Sequence, residues 1–182
     1  MSYIELKEYE IIPTETYKII RNCSGCGGKS IYQCTDKIRV NANGKKIDVW
    51  LIYQCDKCKH TYNLPVYSRI SRDAFDKAEY EALQRSDQKI VMQYGLDREL
   101  FQRNGAKIYT EPSYVLKYIT KKSKDNSIRF RNPYHIRIRH DKLIAECLGI
   151  SRSEAQRMLE TDRLSANTLS NDEMVFRYSE VM

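Results

Sequence analysis

Two stretches in the first third of the chain have the hydrophobic pattern of paired β-strands. Residues 30–40 and 46–54 are strand-like, and the second contains the longest apolar run, Val49-Trp50-Leu51-Ile52-Tyr53. Between them, Asn41-Ala42-Asn43-Gly44 is a turn sequence in which glycine can adopt a positive φ. The pattern predicts a long antiparallel hairpin, followed by a closing strand over residues 61–67.

The middle of the chain changes from strand to helix periodicity. After Ser71, a suitable N-cap, apolar residues recur at helical spacing: Ala74, Phe75, Ala78, Ala82 and Leu83. A second helix is predicted from about Ser86 to Tyr94, stopped by Gly95, and a third from Asp97 to Asn104-Gly105. No chemical motif stands here, so the segment is interpreted as a helical linker region.

The C-terminal part begins with strand patterns rich in arginine. Residues 114–120, 127–131 and 135–139 are predicted strands, with a basic turn over 121–126. Isoleucine and phenylalanine alternate with arginine in the last two, so the arginines face outward (Arg129, Arg131, Arg137, Arg139). Two such arginine rows suit a phosphate backbone, although solvent-facing strand positions are also often basic.

A pair of short helices follows. The first is predicted over about residues 140–148 and stops at Gly149, and Ser151 with Glu154 forms a capping box that opens the second. The complete pattern predicts an α+β protein in three parts: an antiparallel N-terminal part (1–67), a short helical middle (68–112) and C-terminal strands with a helix pair (113–182).

Composition and charge narrow the classes of function. The 182 residues are 41% apolar and 30% charged, and neither a bilayer-spanning run nor a secretory signal is present, which favours a cytoplasmic protein without membrane contact. The net charge is +7, and residues 113–140 alone carry eight basic groups against Asp125. A focused basic segment attracts polyanions such as nucleic acid, although a charge run can also be simply a solvated face.

Four of the six cysteines form two CxxC pairs, Cys23-Ser-Gly-Cys26 and Cys55-Asp-Lys-Cys58. The predicted hairpin brings the second pair back beside the first, and four thiolates complete the tetrahedral coordination of one Zn²⁺. Such a site has no open position for a substrate, so the zinc is expected to be structural. We expect neither Cys34 nor His60 to replace a ligand.

Two family resemblances follow from these motifs. The double CxxC with a hairpin between resembles the zinc-ribbon family over residues 17–67. The stretch with Arg139, Asp141 and Ile144, continued by Leu148–Leu159, resembles the alpha-L RNA-binding domain of a small-subunit ribosomal protein, whose pattern is R-x-D-x-x-L, then L-G-hydrophobic-S-R-S-x-A-x-x-L. Asp162 stands about where that family has glycine.

The second resemblance implies that the second helix lies against RNA, with backbone contacts from Ser151, Arg152, Gln156 and Arg157. Together with Arg137 and Arg139, these residues are the predicted RNA-binding surface. The whole chain is also similar to an uncharacterised bacterial family, whose members supply no activity.

The favoured hypothesis is a non-enzymatic protein that binds structured RNA, in association with the ribosome or tRNA, and contains a structural zinc ribbon. Two alternatives remain open. One is a protein-interaction module without nucleic-acid binding, and the other is a DNA-binding regulator that uses residues 141–160 as a helix-turn-helix.

Overall fold

A computed structural model describes residues 7–120, 127–170 and 172–179 of the chain. These residues form two five-stranded sheets and five α-helices, which confirms the predicted α+β class. They divide into two compact units, one within residues 15–112 and the other within residues 1–14 and 113–182. The unit within residues 15–112 contains both the predicted hairpin and residues 68–112.

In chain order the strands are β1 (Lys7–Pro13), β2 (Lys18–Cys23), β3 (Gly28–Asn43), β4 (Lys46–Cys55), β5 (Thr61–Ser71), β6 (Lys107–Thr110), β7 (Tyr114–Thr120), β8 (Ser127–Arg131), β9 (Leu164–Ser170) and β10 (Glu173–Tyr178). The helices are α1 (Lys77–Arg85), α2 (Gln88–Gly95), α3 (Arg98–Arg103), α4 (His140–Leu148) and α5 (Arg152–Glu160). A 3-10 turn, Arg72–Ala74, precedes α1.

The first sheet has the strand order β5-β4-β3-β2-β6 and is antiparallel throughout. The predicted hairpin is present, because β3 and β4 pair along their lengths and turn at Gly44, whose φ is +61°. In β4 every second side chain is buried, so one face of the sheet supplies the core of this unit; the buried residues are Ile47, Val49, Leu51, Tyr53 and Cys55.

Three helices pack within the same unit. Phe101 of α3 is buried and makes edge contacts with the rings of Tyr17 (5.5 Å) and Tyr53 (6.1 Å). The third helix begins at its predicted cap, where the Asp97 carboxylate accepts a hydrogen bond from the N–H of Leu100 at 3.1 Å. Among the described helices, none is both long and apolar enough to cross a bilayer.

The starts of the first two helices differ from the prediction. The side chain of Asp76 caps α1 by accepting from the N–H of Glu79, so the helix begins six residues after Ser71. Ser86, the predicted start of the second helix, instead ends α1 in the left-handed conformation, and Asp87 caps α2. In both cases an aspartate side chain caps the helix, whereas the predicted start was a serine.

The second sheet has the strand order β7-β1-β8-β10-β9. Strand β1, which the sequence analysis did not predict, lies antiparallel to β7 and parallel to β8. The ring of Tyr9 stacks on Phe130 at 5.6 Å, and Ile11 is buried. A parallel partner far along the chain leaves no turn signal, so local pattern cannot reveal the pairing.

Strands β7 and β8 are present as predicted, whereas the predicted strand over residues 135–139 is wrong. The side chain of buried Asn132 donates to the carbonyl of Ile136 (2.9 Å) and accepts from its N–H (3.2 Å). One amide therefore satisfies both backbone groups that a strand partner would bind, and His135 adopts φ +50°. The predicted turn over 121–126 lies outside the described residues.

The predicted helix pair is present in the second unit. Helix α4 ends at Gly149, and the Ser151 hydroxyl caps α5 by accepting from the N–H of Glu154 at 3.1 Å. The pair packs through buried side chains, which are Asp141, Leu143, Ile144, Ala145 and Ala155.

Candidate metal centre and nucleic-acid interface

The four predicted metal-ligating cysteines lie together at one end of the strands of the first sheet. Strands β2 and β4 both run antiparallel to β3, so they finish at the same end of the sheet, with Cys23 and Cys55 as their last residues. The turns that follow these strands carry Cys26 and Cys58. The pairing of β2 and β4 with β3 thus brings the two CxxC turns together.

The sulfur geometry fits tetrahedral coordination. The Sγ atoms of Cys23 and Cys58 are 3.4 Å apart, those of Cys26 and Cys55 are 3.7 Å apart, and all four lie within 4.8 Å of one another. Four metal–sulfur bonds of about 2.3 Å place tetrahedral sulfurs about 3.8 Å apart. All four thiols are free of disulfides, so the cluster can hold a metal ion.

Hydrogen bonds stabilise negative charge on two of the sulfurs. The Tyr32 hydroxyl has the largest effect on the pKa of the Cys23 thiol, which is lowered to about 6. Burial would raise this pKa, but the N–H of Cys26 also lowers it. The N–H groups of Cys58 and Lys57 lower the pKa of Cys55. Backbone N–H groups of both cysteine turns therefore stabilise the thiolate form that a metal ion would bind.

Cys58 holds its proton more tightly than Cys23 and Cys55 hold theirs. The N–H of His60 favours its thiolate, but the hydrogen bond shared with Cys23, together with burial, outweighs this and raises the pKa of Cys58 to about 12. A bound cation would replace the proton of this thiol, since metals bind the deprotonated thiolate.

The two cysteine turns share a backbone conformation. The residue after the second cysteine of each pair is left-handed, with φ +70° at Gly27 and φ +62° at Lys59. Gly28, the next residue after Gly27, has no positive φ. Gly25, which was not singled out, lies against the second turn, where an added Cβ would be 2.9 Å from the Cys58 sulfur.

Neither Cys34 nor His60 belongs to the metal-binding group found among the described residues. The Nε2 atom of His60 lies 3.1 Å from the hydroxyl of Ser24, so this contact joins the two cysteine turns. Cys34 accepts a hydrogen bond from the N–H of Asp36 at 3.4 Å, and burial raises the pKa of its thiol to about 11.

The predicted RNA-binding residues occupy the helix pair and the loop before it. Arg137 is exposed in that loop, Arg139 immediately precedes α4, and Ser151 caps α5. Both Arg139 and Arg152 bind Asp141. Asp141 belongs to the R-x-D motif but is not among the predicted RNA-binding residues.

The other two predicted residues of α5, Gln156 and Arg157, differ in the contacts that they make with other side chains. Gln156 donates to the carboxylate of Glu160 at 2.7 Å. Arg157 is exposed and makes no ion pair with any described residue. The arginines at 139, 152 and 157 are all exposed to solvent.

Not all basic side chains of the segment 113–140 are available to bind a ligand. The Nε of Arg131 lies 2.7 Å from a carboxylate oxygen of buried Glu8 and 3.7 Å from Glu173. Arg129 is half-buried on the same strand, whereas Lys117 is exposed. Of the predicted arginine row on β8, Arg131 is therefore ion-paired within the second sheet. Lys121, Lys122 and Lys124 lie outside the described residues.

The fold and the site together define an α+β protein of two units, one of which carries a cluster of four thiols at one end of the strands of its sheet. Residues 40–170, more than half of the chain, match the family described as protein of unknown function (DUF1062), and the chain belongs to that family. No curated protein and no solved structure matches the chain.

Proposed function

We propose that the four cysteines bind one structural zinc ion and that residues 17–67 form a zinc ribbon in a reducing, cytoplasmic setting. Sulfur-only ligation at these distances suits Zn²⁺ better than the harder cations, which prefer oxygen. With four protein ligands the coordination sphere is full, so the ion stabilises the fold and does not activate a substrate.

Native mass spectrometry tests the metal directly. We expect one zinc per chain, lost from Cys23→Ser and Cys55→Ser but retained by Cys34→Ser. Chelation of the wild-type protein should unfold the first sheet, because metal-binding free energy is folding free energy in such sites. A protein that folds fully without metal, or that binds zinc equally well after both serine substitutions, would contradict the proposal.

We further propose that the protein is non-enzymatic and binds structured RNA, in association with the ribosome or tRNA, through the surface of α4 and α5. The observation that carries this is the exposure of cationic side chains at the start of both helices: 71% for Arg139 and 56% for Arg152. Phosphate contacts from such arginines supply most of the sequence-independent affinity for nucleic acid.

The resemblance to the alpha-L domain supports the choice of RNA. The helix pair turns at Gly149, its second helix is capped by Ser151, and a strand follows α5, as that family's order requires. Asp162 departs from the family's glycine in sequence, yet its φ of +53° is the conformation that glycine favours.

Arg157 offers the cleanest test because it makes no ion pair within the described part of the chain. Arg157→Gln should weaken binding of a labelled RNA hairpin and reduce the slope of log affinity against log salt by about one, since one phosphate contact releases about one counterion. Arg85→Gln, on exposed α1, is the matched control and should leave the slope unchanged. Absence of wild-type binding at low salt would end the proposal.

Binding to another protein is the second candidate. Val115 and Tyr118, on the edge strand β7, are 51% and 46% exposed, and an edge strand with exposed apolar side chains suits strand addition by a partner. The DNA-binding alternative has less support, because α5 is followed by β9 and not by the third helix of a DNA-binding domain.

A further inference from the structure

Asp141 is a buried carboxylate that holds two exposed arginines. Its side chain is 6% exposed and lies in the first turn of α4. One oxygen accepts from the Nε of Arg139 at 2.9 Å, and the other accepts from the Nε and Nη2 of Arg152 at 3.1 and 2.8 Å. The single carboxylate therefore connects the residue before α4 with the first residue of α5.

Most of the hydrogen-bonding capacity of these arginines remains available. A guanidinium group has five N–H donors, and Asp141 occupies one donor of Arg139 and two of Arg152. Both side chains are more than half exposed, so their other N–H groups face solvent.

The charges of this cluster favour an anion. Two guanidinium groups and one carboxylate carry a net charge of +1, and the two cations are held close because they share one carboxylate. A phosphodiester carries one negative charge and accepts paired N–H groups, which matches a guanidinium in both charge and geometry. Prior fixing of both guanidinium planes also reduces the side-chain entropy lost on binding.

We propose that Arg139 and Arg152 form a clamp for one phosphodiester group of RNA, and that Asp141 is the positioning residue of this clamp. The proposal rests on the RNA-binding function proposed above and identifies the contact that would carry it. Asp141 itself does not touch the phosphate; it acts by fixing the direction in which each arginine presents its free N–H groups.

Replacement of Asp141 separates positioning from simple charge. Asp141→Asn removes a negative charge, so a surface that attracts RNA only by its net charge should bind more tightly after the change. A clamp that depends on orientation should bind a labelled RNA hairpin about tenfold more weakly, the equivalent of one hydrogen bond to a charged group. Glu154→Gln, exposed on the first turn of α5, removes the same charge without touching the arginines and should tighten binding slightly.

Charge-preserving variants keep the proposal testable if Asp141→Asn is poorly folded. Arg139→Lys and Arg152→Lys retain the cations but lose the planar fork, and each should weaken binding about tenfold, because lysine cannot form paired contacts. The salt slope should change little, since the number of positive charges is the same. Thermal unfolding of each variant establishes that the fold is intact.

The outcomes distinguish this clamp from RNA binding in general. If the lysine variants and Asp141→Asn bind as well as wild type while Arg157→Gln binds more weakly, the clamp is wrong and RNA binding stands. If wild type fails to bind the hairpin at low salt, the proposed function itself is wrong. If a DNA duplex of the same length competes equally, RNA is not the preferred partner and this proposal is overturned.

Discussion

Gly25 lies so close to Cys58 that a Cβ atom at position 25 would stand 2.9 Å from the Cys58 sulfur. That sulfur is already 3.4 Å from the Cys23 sulfur and accepts the N–H of His60, so it cannot retreat without opening the cluster. Glycine is required at this position by close approach and not by a special φ.

Gly25→Ala should therefore weaken zinc binding. Forcing a methyl group into a filled site costs about 1–3 kcal/mol, which corresponds to a loss of affinity of about 5- to 150-fold. Competition with a chromogenic chelator measures the change. Gly28→Ala is the matched control, because its added Cβ meets no atom within 4 Å, and equal affinities for the two variants would show the prediction to be wrong.

The shared left-handed conformation of the two cysteine turns predicts opposite effects at Gly27 and Lys59. Gly27→Ala should lower the free energy of unfolding of the zinc-loaded protein by about 1 kcal/mol, whereas Lys59→Gly should raise it by up to about 1 kcal/mol. Thermal unfolding at saturating zinc checks both. Lys57→Gly, in the same turn but without a positive φ, should not stabilise the protein.

The cysteine cluster was predictable because the motifs that define it lie within one short stretch of sequence. Two CxxC turns and an interrupted alternation between them define a hairpin, and antiparallel register then dictates that Cys23 and Cys55 meet. The supporting contacts were not predictable in this way. Tyr32 and Gly25 act on sulfurs carried by other segments, so their roles depend on the assembled sheet.

The second unit shows where local pattern fails. Alternation correctly indicated β8, but the same alternation over residues 135–139 gave a wrong prediction, because the side chain of Asn132 replaces the missing strand partner. Strand β1 was missed because its parallel partner β8 is remote in sequence. Asp141 was visible in a motif, yet only the fold shows that two arginines converge on it.

Asp162 adopts φ +53° after α5, and glycine accepts this conformation with less strain than aspartate. We expect Asp162→Gly to raise the free energy of unfolding by about 0.5 kcal/mol. Asp162→Ala should lower it, since alanine has neither the freedom of glycine nor a side chain that can hydrogen-bond locally. Chemical denaturation of the three proteins tests the order, and a ranking with alanine first would contradict it.

The Asp141 carboxylate should make stability depend on acid pH. Burial alone would raise its pKa, but hydrogen bonds from Arg152 and Arg139 outweigh burial and hold the pKa below its ordinary value. A depressed pKa stabilises the fold above the unfolded-state pKa of about 3.9, and this contribution is lost as the pH falls through the folded-state pKa. The difference in unfolding free energy between wild type and Asp141→Asn should therefore be constant near neutrality and shrink below about pH 4. A difference that stays constant to pH 2 would exclude the carboxylate as its source.

The buried Tyr32 hydroxyl lowers the pKa of the Cys23 thiol, so its removal tests whether it also stabilises the metal-bound sulfur. Loss of an outer hydrogen bond to a metal ligand typically weakens metal binding 10- to 100-fold, so Tyr32→Phe should weaken zinc binding by about tenfold. Folding and metal binding are coupled, however, and any destabilising change lowers the apparent affinity. Tyr53→Phe is therefore the control, since its hydroxyl donates to the carbonyl of Tyr17 at 3.0 Å and not to a cysteine.

A spectroscopic measurement separates the two effects. In the cobalt-substituted protein, the sulfur-to-metal charge-transfer band reports electron density on the thiolates, which a donated hydrogen bond withdraws. Tyr32→Phe should shift this band to lower energy because the Cys23 sulfur becomes more electron-rich, whereas Tyr53→Phe should lower the unfolding temperature without moving the band. Identical spectra for wild type and Tyr32→Phe would mean that the Tyr32 hydroxyl does not act on the metal-bound sulfur, and its loss would then affect only the packing of the sheet.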